Sequence, residues 1–163
     1  MIGVTVKKID WKNLSYYDFI GFVAVTAFLL FVLYFGGLWY ATYDYRIQMR
    51  DQMVEMYKQL PNPIPPIEDD YGVHQRWLVF YIDGVKVLNK PQPENVINEY
   101  KKALEKEGWA TEREYEHVRN DKNKIYGINM RKGEFILSVS ARENRDSINI
   151  HLIKRDWIYN KGF

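Results

Sequence analysis

The chain has 163 residues, a net charge of +2 and no cysteine, and 47% of its residues are hydrophobic and 16% aromatic. This aromatic content is typical of a chain that folds rather than one that stays disordered. The near-neutral charge, with both signs interspersed, disfavours a nucleic-acid partner. The lack of cysteine excludes disulfides, zinc–thiolate sites and cysteine-ligated iron–sulfur clusters.

Residues 19–41 form an apolar stretch that contains no charged side chain. As a helix the stretch covers roughly 34 Å, enough for a hydrocarbon core of about 30 Å. We therefore predict a short polar tail at residues 1–18, then an uncleaved transmembrane helix at residues 19–41. Aromatic side chains suited to the two membrane interfaces flank this helix: Trp11, Tyr16 and Tyr17 before it, and Tyr34, Trp39, Tyr40, Tyr43 and Tyr45 at its far end.

The basic residues do not decide the orientation of the predicted span. Three precede it and three follow it closely: Lys7, Lys8 and Lys12, then Arg46, Arg50 and Lys58. We expect the amino terminus inside and the carboxyl-terminal domain outside. A chain whose one targeting feature is a span would use that span to place its domain across the membrane.

Asp18 is the one acidic residue at the edge of the span, and it has two interpretations. It can cap the start of the helix at the headgroup level by accepting from free backbone N–H groups. Alternatively, the pattern of Trp11-Lys12 followed by Tyr16, Asp18 and Phe19 resembles the start of the span in ion-driven stator subunits. That resemblance implies that Asp18 carries ions or protons. Here the acid precedes a complete span, and its spacing from Trp11 is one residue longer than in that family.

Two sets of residues predict contacts with other helices. Gly37 and Ala41 form a small-xxx-small pair that allows close approach within a membrane. Residues 42–60 continue a helical pattern as a juxtamembrane helix. Its seam could pack on a second copy, another subunit, the membrane surface or the chain's own domain; the residues of that seam are Met49, Met53, Met56 and Leu60.

Four prolines at residues 61–66 predict a stiff linker over residues 61–70, because proline cannot continue a helix. Residues 71–163 predict a small two-layer α+β domain, with one main helix on an antiparallel sheet. Pro93 suits the first helical position and Gly108 the residue after the end of the helix. The predicted strands are Arg76–Asp83 with a short run after Gly84, Trp109–Val118, Lys124–Arg131, Glu134–Arg142 and Ser147–Trp157.

No motif for catalysis or nucleotide binding occurs in the sequence, so we predict no catalytic residue, no cofactor and no metal. His74, His117 and His151 fall in separate elements, and Glu112, Glu114 and Glu116 alternate along a strand with arginines close by. We interpret these residues as surface residues, the glutamates as a solvated sheet edge. Near the carboxyl end, Trp157 and Tyr159 either close the core or form a docking patch.

The leading functional hypothesis is a non-catalytic single-pass membrane protein that is an accessory or assembly subunit of a membrane protein complex. Its expected partners are other membrane subunits and the lipid bilayer, with a possible homo-oligomer through residues 42–60. Two alternatives stay open. One is a stator-like ion-translocating subunit that uses Asp18, and the other is a membrane-anchored domain that binds a ligand in a cleft between helix and sheet.

Overall fold

The computed structural model describes residues 16–76, 79–89, 92–118 and 123–155. The chain divides into two compact units, Met1–Asp44 and Tyr45–Phe163. The fold is α+β, as the sequence predicts. Its elements are α1 (Tyr16–Ala41), α2 (Tyr43–Lys58), β1 (Glu68–Arg76), β2 (Val79–Val87), α3 (Pro93–Lys106), β3 (Ala110–Val118), β4 (Lys124–Lys132), β5 (Phe135–Arg142) and β6 (Ser147–Lys154).

Helix α1 has 26 residues, and none of its side chains is buried. Among the described residues it is the one helix long and apolar enough to cross a membrane. Its apolar side chains lie on all sides of the helix, whereas a helix on the surface of a soluble domain has one apolar stripe. Asp18 lies in its first turn, next to the backbone N–H groups that have no partner within a helix.

The helical pattern predicted to run through residues 42–60 is interrupted at Thr42, between α1 and α2. The Thr42 hydroxyl donates a hydrogen bond to the Leu38 carbonyl oxygen, at 2.8 Å. Threonine competes in this way with regular helical bonding, which accounts for an irregularity at this residue.

The six strands form one antiparallel sheet in the order β1-β2-β6-β5-β4-β3. Strands β1 and β3 are therefore its two edges. Along β5 and β6 alternate side chains are buried, which gives the sheet one core face. The predicted alternation along these two strands is confirmed.

Both α2 and α3 lie on this core face, which we call the inner face. From α2, Tyr57 lies over Gly84 of β2, and Gln52 accepts a hydrogen bond from Lys154 of β6 at 3.0 Å. The helices and the sheet share one core of buried side chains: Met49, Met53, Tyr57, Leu60, Phe80, Ile82, Leu88, Val96, Ile97, Tyr100, Leu104, Trp109, Ile128, Met130, Leu137, Val139, Ala141, Ile148, Ile150 and Leu152.

The structure moves two predicted boundaries. The predicted juxtamembrane helix, residues 42–60, supplies the second helix of the domain, so the compact unit starts at Tyr45 rather than at residue 71. The predicted linker, residues 61–70, is shorter, because β1 begins at Glu68. The physical reason is burial. The apolar seam of α2 needs a cover, and the inner face of the sheet provides it.

The remaining elements lie close to the positions predicted from local sequence signals, with one exception. Helix α3 starts at Pro93, and Gly108 follows its end with φ of 84°; Gly133 turns the β4–β5 hairpin with φ of 60°. The exception is the predicted strand Arg76–Asp83. The chain ends β1 at Arg76 and begins β2 at Val79, so the predicted strand contains the last residue of β1 and the first part of β2, while residues 77 and 78 lie outside the described residues.

Candidate functional site

A charged cluster lies at the edge of the core between α2 and the sheet, where Asp69 and Asn62 remain exposed. The Lys86 side chain is buried, and its ammonium group lies 3.1 Å from Asp69 Oδ2 and donates to the Asn62 side-chain oxygen. The Tyr57 hydroxyl donates to Asp69 Oδ1 at 3.1 Å, and the Tyr57 ring lies 5.5 Å from Lys86 Nζ. The cluster joins α2, the proline segment, β1 and β2. Each charge has a partner, as burial of an ion requires.

Two phenols in this core are held in the neutral form. Burial is the largest cause that raises the pKa of Tyr57 above its ordinary value, and the Asp69 carboxylate is the second. Burial and the same carboxylate also raise the pKa of Tyr100. The Tyr100 hydroxyl is buried and has no hydrogen-bond partner among the described residues. The side chains of Tyr57 and Tyr100 are buried, so they belong to the packing of the domain rather than to a surface for a partner.

Neither α2 nor α3 of the Tyr45–Phe163 unit lies on the opposite side of the sheet, which we call the outer face. Side chains from its central strands are half-buried or exposed there. The strand register places them in adjacent rows, with Asp83 beside His151, His151 beside Ser138, and Ser138 beside Asn129. The outer face is defined by these central residues: Tyr81, Asp83, Val85, Asn129, Ile136, Ser138, Ser140, His151 and Ile153.

A polar and aromatic group, the His74–His151 cluster, lies on the outer face where β1, β2 and β6 meet. His151 Nδ1 is 2.6 Å from Asp83 Oδ1, and His74 Nε2 is 3.7 Å from Asp83 Oδ2. The Tyr81 ring stacks on His74 with centroids 5.1 Å apart and contacts His151 at 5.5 Å. Asp83 and the two histidines beside it are each about half exposed.

The His74–His151 cluster offers hydrogen bonds and ring faces to a bound surface. The described His, Asp and Glu side chains form no group of three that could hold a metal ion. Imidazole and carboxylate can exchange protons, but here they lie on a half-exposed sheet face. The geometry suits recognition, since aromatic rings and histidines supply both apolar area and hydrogen bonds at protein interfaces.

A cleft of about 260 Å³ lies between the start of α3 and strands β3 and β4. Its wall carries the carboxylates of Glu94, Glu114 and Glu116. Two of them have cationic partners, because Lys101 Nζ lies 2.6 Å from Glu114 and Lys124 Nζ lies 2.7 Å from Glu116. The prediction of a charged edge strand is confirmed at β3, although a register shift between Thr111 and Arg113 interrupts the alternation of its glutamates.

The seam residues of α2 are used by the domain itself. Met49, Met53 and Leu60 are buried in the core, and Met56 is half-buried against it. Of the alternatives for this seam, the structure shows packing on the chain's own domain. Association of two copies through residues 42–60 stays a prediction, and it would have to use the exposed side of α2.

The small-residue pair, Gly37 and Ala41, lies on the exposed surface of α1 in the described structure. A side-chain carbon added at Gly37 would meet nothing within 4 Å, and Ala41 is exposed at the end of α1. Their role in helix contacts stays a prediction. Trp11, Lys12, Trp157 and Tyr159 lie outside the described residues.

Sequence reasoning missed the His74–His151 cluster and the buried Lys86 cluster. His74, Asp83 and His151 are far apart in the chain, and only the β1-β2-β6 order brings them together. The sequence contained a weak signal for the position of Lys86. This lysine is flanked by Val85 and Val87, so in a strand its side chain had to lie on the face opposite to the side chains of those valines.

Comparison with known proteins gives no relative on which to base a function. No protein-family model matches the chain, and no curated protein matches it.

Proposed function

We propose that this chain is a non-catalytic single-pass membrane protein and an accessory or assembly subunit of a membrane protein complex. Helix α1 serves as the anchor. The Tyr45–Phe163 unit docks on another membrane subunit through its outer face.

The observation that carries this proposal is the one-sided construction of the sheet. Both helices and the buried polar cluster occupy the inner face, so the core is complete on that side. The outer face presents aromatic, histidine, amide and hydroxyl side chains, and neither α2 nor α3 covers them. A mixed face of this composition resembles the recognition surfaces of protein complexes more than a solvated surface of lysine and glutamate.

The character of α1 supports the proposed anchor. Apolar side chains lie on every side of this helix of 26 residues, and none of its side chains is buried. Exposure of so much apolar surface to water is unfavourable by about 25 cal/mol per Å², whereas a lipid environment removes this cost.

The outer face is tested by co-purification from native membranes. Ser138 lies near the centre of the outer face and is half-buried, so Ser138→Arg adds bulk and charge without removing core packing. We expect this change to remove the partner subunits that co-purify with the unchanged chain. Asn95→Arg is the matched control, since Asn95 is exposed on α3 and lies on the helix side of the sheet. Equal recovery of the partners with Ser138→Arg would contradict the proposal.

The cleft beside α3 favours a second candidate function, a membrane-anchored domain that binds a small ligand. Its carboxylates suit an organic cation, and Glu94 has no ion-pair partner in the described part of the chain. Under this alternative, one member of a panel of small organic amines raises the melting temperature of the full-length protein, and Glu94→Gln removes that rise. An unchanged melting temperature across the panel would exclude a cationic ligand at this cleft.

A further inference from the structure

Among the described residues strand β1 pairs on one side only, with β2, and so forms one edge of the sheet. It has nine residues, and its register with β2 runs from Glu68 to Arg76 without a bulge. Its residues are exposed at both ends and half-buried in the middle. An edge strand of this kind presents a row of backbone N–H and C=O groups that another strand can use.

The other edge of the sheet is protected. Strand β3 contains a register shift between Thr111 and Arg113, and its carboxylates are held by basic side chains of α3 and β4. Bulges and charged side chains are the usual devices that prevent pairing at an edge. In the described structure β1 has no bulge, and its charged side chains lie towards its two ends.

The charges along β1 are arranged asymmetrically. Its first three residues are acidic, namely Glu68, Asp69 and Asp70, whereas its second half contains His74 and Arg76. If the strand pairs antiparallel with a copy of itself about Gly72, acidic residues lie opposite basic or polar ones. The resulting pairs are Glu68 with Arg76, Asp69 with Gln75, Asp70 with His74, and Tyr71 with Val73.

From this pattern we propose that β1 pairs antiparallel with β1 of a second copy of the chain, with a two-fold axis at Gly72. The six-stranded sheets of the two copies then become one continuous sheet. An isologous contact of this type closes on itself, so it produces a dimer and not a filament.

The side chains required for the contact are in place. In a continuous antiparallel sheet a residue and its partner lie on the same face. Glu68, Asp70 and Arg76 lie on the outer face, because their β2 partners Val87, Val85 and Val79 lie there. Glu68, Asp70 and Arg76 have no ion pair within the described residues, and they are exposed.

The inner-face pairs contribute apolar contact more than charge. Asp69 is already held by Lys86 and Tyr57, so it adds little to pairing with Gln75. Tyr71 and Val73 are half-buried and pack against the domain core. Their cross-strand contact extends that core to the second copy.

A second copy fits this edge better than an unrelated strand because the complementarity is internal to β1. The same segment in parallel would place Glu68 opposite Glu68 and Arg76 opposite Arg76, and directly opposed like charges are unfavourable. The proposal rests on the edge position and the sequence of β1, and it does not depend on the proposed membrane function.

Charge reversal tests the pairing, with the mass of the full-length chain measured in detergent by size-exclusion chromatography with light scattering. Glu68→Arg alone and Arg76→Glu alone each create two like-charge pairs across the two-fold axis. We expect each to weaken self-association by about tenfold. The Glu68→Arg/Arg76→Glu double variant restores both attractive pairs and should recover the dimer.

An equimolar mixture of the two single variants gives the sharpest outcome. In the mixed dimer every 68–76 pair is again of opposite charge, so the mixture should form more dimer than either variant alone. A folding defect cannot produce this rescue. A monomeric mass for the unchanged chain at all concentrations, or equal association of all variants, would overturn the proposal.

Cysteine crosslinking tests the position of the axis, since the chain has no native cysteine. Gly72→Cys places the same residue of both copies directly opposite each other, with Cα atoms about 4.5–5.5 Å apart, a separation a disulfide can bridge. The introduced Cβ comes near only the end of the His74 ring, which can move. We expect rapid oxidation to a covalent dimer. Val118→Cys, exposed on the opposite edge, is the control, and equal crosslinking of the two variants would contradict the proposed axis.

Discussion

Lys86 has a buried ammonium group, and its partners explain why the charge is tolerated. Its ammonium group forms an ion pair with Asp69 and donates a hydrogen bond to the Asn62 side-chain oxygen, and the Tyr57 ring lies beside it. Removal of one member leaves an uncompensated polar or charged group in the core, which is more costly than loss of the contact itself. At the residue scale, the two tyrosines of this core make opposite contributions to stability.

Replacement of the two tyrosines by phenylalanine should have opposite effects. Tyr100→Phe removes a buried hydroxyl that has no partner in the described structure, so we expect a gain of about 1 kcal/mol in the free energy of unfolding. Tyr57→Phe removes the hydrogen bond to Asp69 and should cost about 1 kcal/mol. Urea denaturation measures both. A loss of stability in Tyr100→Phe as large as that in Tyr57→Phe would show that the Tyr100 hydroxyl has a partner.

Stability should decline at alkaline pH because of the same two phenols. Both pKa values are raised by burial and by Asp69, so the folded protein keeps protons that the unfolded chain releases near pH 10. Their contribution is therefore fully present below about pH 10 and is lost as the pH rises above that value. Melting temperatures between pH 8 and pH 11.5 measure the decline. The Tyr57→Phe/Tyr100→Phe double variant should show a shallower decline, and an unchanged slope would contradict this assignment.

At the scale of elements, α2 is part of the domain core. Met49, Met53 and Tyr57 lie within the same cluster as the strands, so the foldable unit includes this helix. In the proline segment between α2 and β1, the Asn62 side chain accepts a hydrogen bond from Lys86, and this bond restrains the segment.

Truncation of α2 should therefore unfold the domain. We expect residues 45–163 to unfold cooperatively and residues 71–163, which lack α2 and the start of β1, to remain unfolded or molten. Near-ultraviolet circular dichroism distinguishes the two states. Cooperative unfolding of residues 71–163 with an unchanged melting temperature would show that α2 contributes nothing to the core.

Two alanine variants within α2 compare the stability lost at a buried position with the stability lost at an exposed one. Met53 is fully buried, and Met53→Ala should cost about 2–5 kcal/mol. Ile47 is 39% exposed on the same helix, and Ile47→Ala should cost much less. Equal destabilisation by the two variants, measured by thermal unfolding, would contradict the packing of α2 on the inner face.

The sequence predicted some elements of the fold from local signals and left others unmarked. Helix α3 and the β4–β5 hairpin carry local signals, Pro93, Gly108 and Gly133, and these elements were predicted close to their observed bounds. The start of β1 has consecutive acidic residues and no apolar alternation, so nothing local marks it as a strand. The methionine seam of α2 predicted that one face of this helix packs on another element, but it did not identify that element. The His74–His151 cluster depends on strand order, which residue spacing does not reveal.

At the scale of the whole molecule, the protein combines an apolar helix and a domain with one covered sheet face. The proposed membrane anchor is directly testable because α1 contains no charge near its centre. Leu30→Arg should reduce membrane insertion, since a central arginine costs about 2.5–3.5 kcal/mol on insertion scales. Resistance to alkaline extraction measures insertion. Thr42→Arg, at the end of the helix, should leave it intact, and full resistance of Leu30→Arg would argue against a span.

The docking role of the outer face is the central claim, and site-specific photocrosslinking in native membranes tests it most directly. A photoreactive residue at Ser138 lies near the centre of the outer face, and one at Asn95 lies on the exposed side of α3. The account predicts a discrete crosslink from position 138 to a membrane protein subunit, absent at position 95 and lost on addition of Ile136→Glu. Equal crosslinking from both positions, or crosslinking from position 95 alone, would contradict it.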